Sequence, residues 1–137
     1  MARGWDNASS TAFKCRVDRE SLHPYSASTS SYEEFVFPGA SSITLTFDDR
    51  SETDPEQSGG DFVAIYKDST YTSTWGKAKY AGEAGDNWPG AGGKPPLVIP
   101  SDRCVLHFRS DSDEERWGFR VKIEATIDGE GAVELSK

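Results

Sequence analysis

Two runs of carboxylates carry the chemistry this chain can offer, Asp48-Asp49-Arg50-Ser51-Glu52-Thr53-Asp54 and Ser110-Asp111-Ser112-Asp113-Glu114-Glu115, each entered from a hydrophobic stretch. Carboxylates gathered at strand ends repel one another unless they are hydrated or a cation sits among them, and oxygen-rich loops suit Ca²⁺. Mg²⁺ fits less well, because it demands tighter octahedral order. Metal-assisted binding is the leading expectation. The plainer reading is a solvated loop, or a turn in which Asp48-Asp49 bonds the backbone.

Catalytic chemistry finds less support. His23 and His107 are the only histidines, too few for a zinc cluster or a His-based catalytic pair. Ser110 has no base partner nearby in sequence, and no Gly-rich phosphate loop with Lys and Ser/Thr is present. Glu52 with Asp111 as a glycosidase carboxylate pair is a weaker alternative. No enzymatic activity is expected. Among the aromatics, Trp117 beside Gly118-Phe119 reads as a tryptophan packed across a core. Trp88 sits in a Pro/Gly loop where nothing local would bury it, so it is either a partner anchor or a lid folded back. Tyr25, Trp88, Asp113 and Glu114 form the candidate partner-binding set.

These side chains must be held by a folded scaffold. The chain has 137 residues, 35% hydrophobic and 12% aromatic, enough for one domain with a real core. A net charge of −8 disfavours phosphate backbones, which need clustered Lys and Arg. Nucleic acid is therefore excluded as a partner, and no apolar stretch approaches the roughly 20 residues of a membrane span. Only Cys15 and Cys104 are present, at most one disulfide, and both are expected to be reduced, which favours an intracellular compartment over an extracellular one. Asn7-Ala8-Ser9 is a formal glycosylation sequon of little weight.

The clearest periodicity is Ile43, Leu45 and Phe47 alternating with Ser42, Thr44 and Thr46. Phe119, Val121, Ile123 and Ala125 alternate in the same way near the end. Further strands are expected at 13–17, 33–37, 61–66, 97–99 and 103–109, and 71–75 is expected to pair nearby. Residues 76–96 form a long irregular connection rich in Gly and Pro. With no convincing helical period, the expectation is all-β, an antiparallel β-sandwich. Residues 1–19 read as an N-terminal extension with one edge strand, 20–127 as the sandwich, and 128–137 as an acidic tail or linker.

The ordered set His23-Pro24-Tyr25, Phe35-Val36-Phe37-Pro38-Gly39, Ile43-Thr44-Leu45-Thr46-Phe47, Glu52, Asp61-Phe62-Val63-Ala64-Ile65, Phe108-Arg109-Ser110-Asp111 and Trp117-Gly118-Phe119 resembles a CUB domain over residues 20–127. With Asn87-Trp88-Pro89-Gly90, it is most similar to the divergent CUB-like modules of large intracellular ubiquitin-ligase-type and ZZ-zinc-finger proteins. The resemblance implies a CUB-like jelly roll acting as a non-enzymatic protein-interaction module. It also implies a Ca²⁺ held by Glu52, Asp61 and Asp111, with a carbonyl from Ser112 and a further oxygen from Asp113 or Glu114. The surplus acidic oxygens would meet a Lys or Arg of a protein partner. The chain departs from secreted CUB domains in its cysteines, since those usually carry two disulfides. Two other readings stay open: a carbohydrate-binding module in which Trp88 or Tyr25 stacks on a sugar near calcium, and a purely structural domain of a large scaffold or ubiquitin ligase.

Overall fold

The computed structural model describes residues 13–54, 60–83, 87–111 and 115–127, in which seven strands build two antiparallel sheets. They are β1 (Phe13–Glu20), β2 (Ser30–Val36), β3 (Ala40–Phe47), β4 (Phe62–Tyr66), β5 (Leu97–Ile99), β6 (Arg103–Arg109) and β7 (Arg120–Ile127). One sheet has the order β1-β7-β3-β5 and the other β2-β6-β4. No α-helix occurs among the described residues. Trp5 and the sequon at Asn7 lie outside them.

The strands form where side chains alternate. Along β3, Ile43, Leu45 and Phe47 are buried while the residues between them are less so, and β7 buries Val121, Ile123, Ala125 and Ile127 in the same rhythm. The register places Ile43 opposite Ala125 and Leu45 opposite Ile123, so both strands present one apolar face. From the facing sheet come Val63, Ile65, Cys104, Leu106 and Phe108. Residues on the two inner faces interdigitate as one core.

β6 breaks the alternation for a physical reason. It is the central strand of its sheet, and its outward Val105 and His107 are also buried. The His107 ring stacks on Tyr32 at 3.9 Å between centroids and lies near Tyr66. An outer layer of aromatics thus covers a face that sheets of this kind often leave to water. β1 spans the boundary expected near residue 20 and pairs with β7 over its whole length, as an edge strand of the sandwich.

The connection 76–96 closes over the core instead of lying free. Trp88 has none of its surface exposed, sits against Phe47 with centroids 5.2 Å apart, and donates through Nε1 to the Gly82 carbonyl at 3.4 Å. The Phe47 amide donates to the Pro89 carbonyl at 2.8 Å, stitching this loop to β3. Gly90 has φ +84°, and a Cβ there would meet Thr46 Cγ2 at 2.6 Å, so the turn needs glycine.

Candidate metal centre

The two acidic runs divide in their roles. Asp48 closes the turn after β3: its carboxylate accepts from the Arg50 amide at 2.8 Å and from the guanidinium at 2.9 and 3.0 Å. Hydrogen bonding to Arg50 draws its pKa down to about 2. Asp49 accepts from the Gly92 amide at 3.0 Å. Both are turn residues, the plainer of the two readings of this run.

The next residues turn inward. Glu52 is fixed by a backbone bridge to Gly118, with N···O distances of 2.7 and 2.9 Å, and Thr53 bridges to Gly82. The Thr53 hydroxyl donates to the Asp61 carbonyl at 2.8 Å, and the Asp61 amide to the Asp54 carbonyl at 2.9 Å. Asp61 thus enters β4 with its side chain buried, 1% exposed. One carboxylate oxygen accepts from the Tyr25 hydroxyl at 2.5 Å and the other from the Asp111 amide at 2.7 Å. Burial, chiefly, and the Asp111 carboxylate raise the Asp61 pKa, while the Tyr25 and Asp111 amide hydrogen bonds oppose the rise. Burial and the bond to Asp61 raise the Tyr25 phenol as well.

Asp111 is presented by the end of β6. The Ser110 hydroxyl donates to the Ser26 carbonyl at 2.6 Å and accepts from the Thr29 amide at 3.0 Å, while the Asp111 carbonyl accepts from Ser28 at 2.8 Å. Ser110 is therefore a clamp between loops. Asp61 and Asp111 are brought together. Glu52 belongs to the same end, but its carboxylate is held by Arg116 at 2.9 Å, and the same guanidinium lies 3.9 Å from Asp54. Among the described residues no three or more His, Cys, Asp or Glu side chains converge closely enough to hold a metal. Ser112, Asp113 and Glu114 lie outside the described residues.

Of the two readings of Trp88, anchor or folded-back lid, the structure shows the lid, because the loop that carries it folds onto Phe47. Two other readings from the sequence need correction. Tyr25 is 2% exposed and positions Asp61, its hydroxyl also accepting from the Asp54 amide at 3.1 Å. With both rings buried, neither offers a partner anchor or a platform for a sugar. Trp117 is half-buried at the rim instead of spanning the core: it stacks on His23 at 3.8 Å, with the Arg50 guanidinium 4.6 Å from its ring. Sequence reasoning passed over Arg116 and Asp54. Their one signal was an arginine directly after Glu114-Glu115 and an aspartate closing the first acidic run.

What the donor set can do follows from its chemistry. A buried carboxylate beside a second carboxylate, already oriented by a phenol and an amide, is a hard-oxygen arrangement that a divalent cation would relieve of repulsion.

The fold has solved counterparts. The chain superposes on the CUB1-EGF-CUB2 segment of human MASP-1/3 with TM-score 0.65 and 17% identity, over 88% of this chain and 45% of that one. It matches the Ca²⁺-bound CUB2 domain of MASP-1 with TM-score 0.60 and 21% identity, over 79% of this chain and 90% of that one. The chain has the fold of a CUB domain. In sequence it is 30% identical over 109 residues to human zinc finger ZZ-type and EF-hand domain-containing protein 1, and 28% identical over 108 residues to the mouse protein. Each match covers 78% of this chain but only 3% of the length of those relatives. No protein-family model matches the chain.

Proposed function

We propose that this CUB-like domain is a non-enzymatic protein-interaction module whose carboxylate end binds Ca²⁺. The observation that carries the reading is the buried Asp61 carboxylate set against Asp111 at the meeting point of three loops. Asp61 and Asp111 would hold the ion, with Glu52 joining once it leaves Arg116, and Ser112, Asp113 and Glu114 follow directly in the chain as further oxygen donors. The ion supplies positive charge that fixes these loops. Acidic oxygens left at the rim then meet a Lys or Arg of a protein partner through short, directional charge-assisted bonds. The likeness to a Ca²⁺-bound CUB2 domain supports the choice of metal. The free thiols of Cys15 and Cys104 support a reducing, intracellular setting.

Calorimetry in millimolar Ca²⁺ against chelator tests the metal. A ligand that binds only the folded state stabilises it by about 2.7 kcal/mol at a hundredfold excess over Kd, so the melting temperature is expected to rise. Asp111→Ala should abolish the difference. Superimposable melting curves for the unsubstituted protein would overturn the calcium reading.

A further inference from the structure

His107 is a buried titratable side chain outside the carboxylate cluster, 5% exposed on the central strand β6. The register sets it between Tyr32 of β2 and Ala64 of β4, with the Phe62 ring edge-on at 5.5 Å between centroids. Nε2 shares a hydrogen bond of 3.3 Å with the Ser30 hydroxyl, and Nδ1 is buried with no hydrogen-bond partner among the described residues. A neutral ring suits this site, since its one proton on Nε2 donates to Ser30 and Nδ1 keeps a lone pair. A second proton would create a buried N–H without an acceptor and a charge without water. Burial therefore lowers the His107 pKa, and the Arg109 guanidinium on the same strand lowers it further. Among the described residues no carboxylate pairs with the ring. Glu34, opposite Val105 in the register, lies 3.7 Å from Arg103, and Asp68 accepts from the Thr70 amide and hydroxyl. Lys79 lies 4.4 Å from the Phe62 ring, so the charged groups around His107 offer it no counter-ion.

A pair of stacked tyrosines covers the ring. Tyr32 lies on His107 at 3.9 Å with the planes 8° apart, and Tyr71 lies on Tyr32 at 4.3 Å. Both tyrosines are partly exposed, so they stand between the buried histidine and water. Tyr71 comes from the turn that follows β4. The base of that turn is fixed, because the Lys67 amide donates to the Ser73 carbonyl and the Trp75 amide to the Ile65 carbonyl, both at 2.8 Å. Its tip is strained. Tyr71 has φ +55°, in the left-handed region that favours glycine, and its amide donates to the Asp68 carbonyl at 3.2 Å. Ring contacts with Tyr32 and Tyr66 hold its side chain down. Releasing the tip relieves the backbone and gives up those contacts, which makes the turn an element with two arrangements.

We infer that the turn 67–73 is an acid-released strap, closed over His107 while that ring is neutral and opened when the ring takes a second proton. Opening swings Tyr71 and Tyr32 aside, hydrates Nδ1 and bares the aromatic outer face of β2, β6 and β4. In the open form His107 titrates near the ordinary histidine value of about 6.5, and in the closed form below it. The closed form is therefore fully favoured above about pH 6.5. As the pH falls from there, the ratio of open to closed rises about tenfold per pH unit until the closed form protonates as well. None of these residues belongs to the carboxylate cluster, so the strap does not rest on the calcium reading.

The test is an NMR titration of the isotope-labelled protein in chelator, from about pH 7.5 to about pH 4.5, a range that spans histidine protonation. The His107 ring carbons report its proton, and cross-relaxation between the Tyr71 and Tyr32 rings reports the strap. The ring contact is expected to vanish in the same step that protonates His107, while Trp88 and Ile123 keep their signals. His107→Gln retains a donor for Ser30 and cannot take the proton, so there the contact should persist to the lowest pH. Tyr71→Gly relieves the backbone and removes part of the cover, and it should move the His107 midpoint up toward about 6.5. A ring contact that survives His107 protonation, an acid step that persists in His107→Gln, an unmoved midpoint in Tyr71→Gly, or no protonation of His107 down to about pH 4.5 would each overturn the proposal. Loss of the Trp88 and Ile123 signals in the same step would do so too, because that is global unfolding. Should His107→Gln fail to fold, the Tyr71→Gly midpoint decides alone.

Discussion

Arg116 is the residue on which the behaviour of the carboxylate end turns. Its guanidinium sits 2.9 Å from the Glu52 carboxylate, so the chain's own cation stands where the acidic oxygens would otherwise face a metal or a partner's Lys or Arg. Both side chains are 28% exposed, and a pair of this kind contributes up to about 1 kcal/mol. Under the calcium proposal, that is the cost of freeing Glu52 for the ion. Arg116→Gln is therefore expected to tighten the Ca²⁺ dissociation constant roughly fivefold, the equivalent of about 1 kcal/mol. Isothermal titration of both proteins reads this directly, and an unchanged or weaker constant would mean that Arg116 does not compete with the metal. Asp61 obeys a different rule, since its oxygens are already oriented by Tyr25 and by the Asp111 amide.

At the scale of elements, the connection 76–96 changes character between sequence and structure. Rich in Gly and Pro, it has no periodicity to pack, yet Trp88, Ala91 and Tyr80 place it in the core. Trp88 is a wedge between this loop and β3. Trp88→Ala is expected to destabilise the domain by about 3–5 kcal/mol, as for other large-to-small core substitutions, measured as a lower urea midpoint at unchanged slope. A loss below 1 kcal/mol would mean that the loop can leave the core. The outer layer over β6 follows the same logic. Tyr32 and Tyr66 cover His107, and burial lowers its pKa, with the Arg109 charge adding to the effect.

The whole molecule is two sheets closed on one core, and its two thiols report on that closure separately. Cys104 on β6 is fully buried and burial pushes its pKa up to about 12, whereas Cys15 on edge strand β1 is partly accessible. The thiolate is the reactive form. A thiol reagent without reductant should label Cys15 in the folded protein and reach Cys104 only on global unfolding. Mass spectrometry then shows one adduct under native conditions and two in denaturant. Two rapid native adducts would reveal a sheet that opens locally, and no adducts in denaturant would reveal a crosslink.

What the sequence determined by itself is what depends on neighbours along the chain. Alternation over residues 42–47 and 119–125 specifies β3 and β7, because a period of two is a local property of the extended backbone. The run 103–109 marks β6, and the order of the matched segments indicates the CUB-like sandwich. The ladders then bring acidic residues of separate loops to one end. Which carboxylates meet, and which are spent, is decided only by tertiary structure. Asp48 is held by Arg50, two positions along the chain, whereas Glu52 meets Arg116 and Asp61 meets Tyr25 across separations of 64 and 36 residues. No local pattern encodes those pairings, since the side chains become neighbours only after the sheets have paired. For the same reason Trp88, which local signals leave open between anchor and lid, is a core residue in the fold, because the surface that buries it comes from β3.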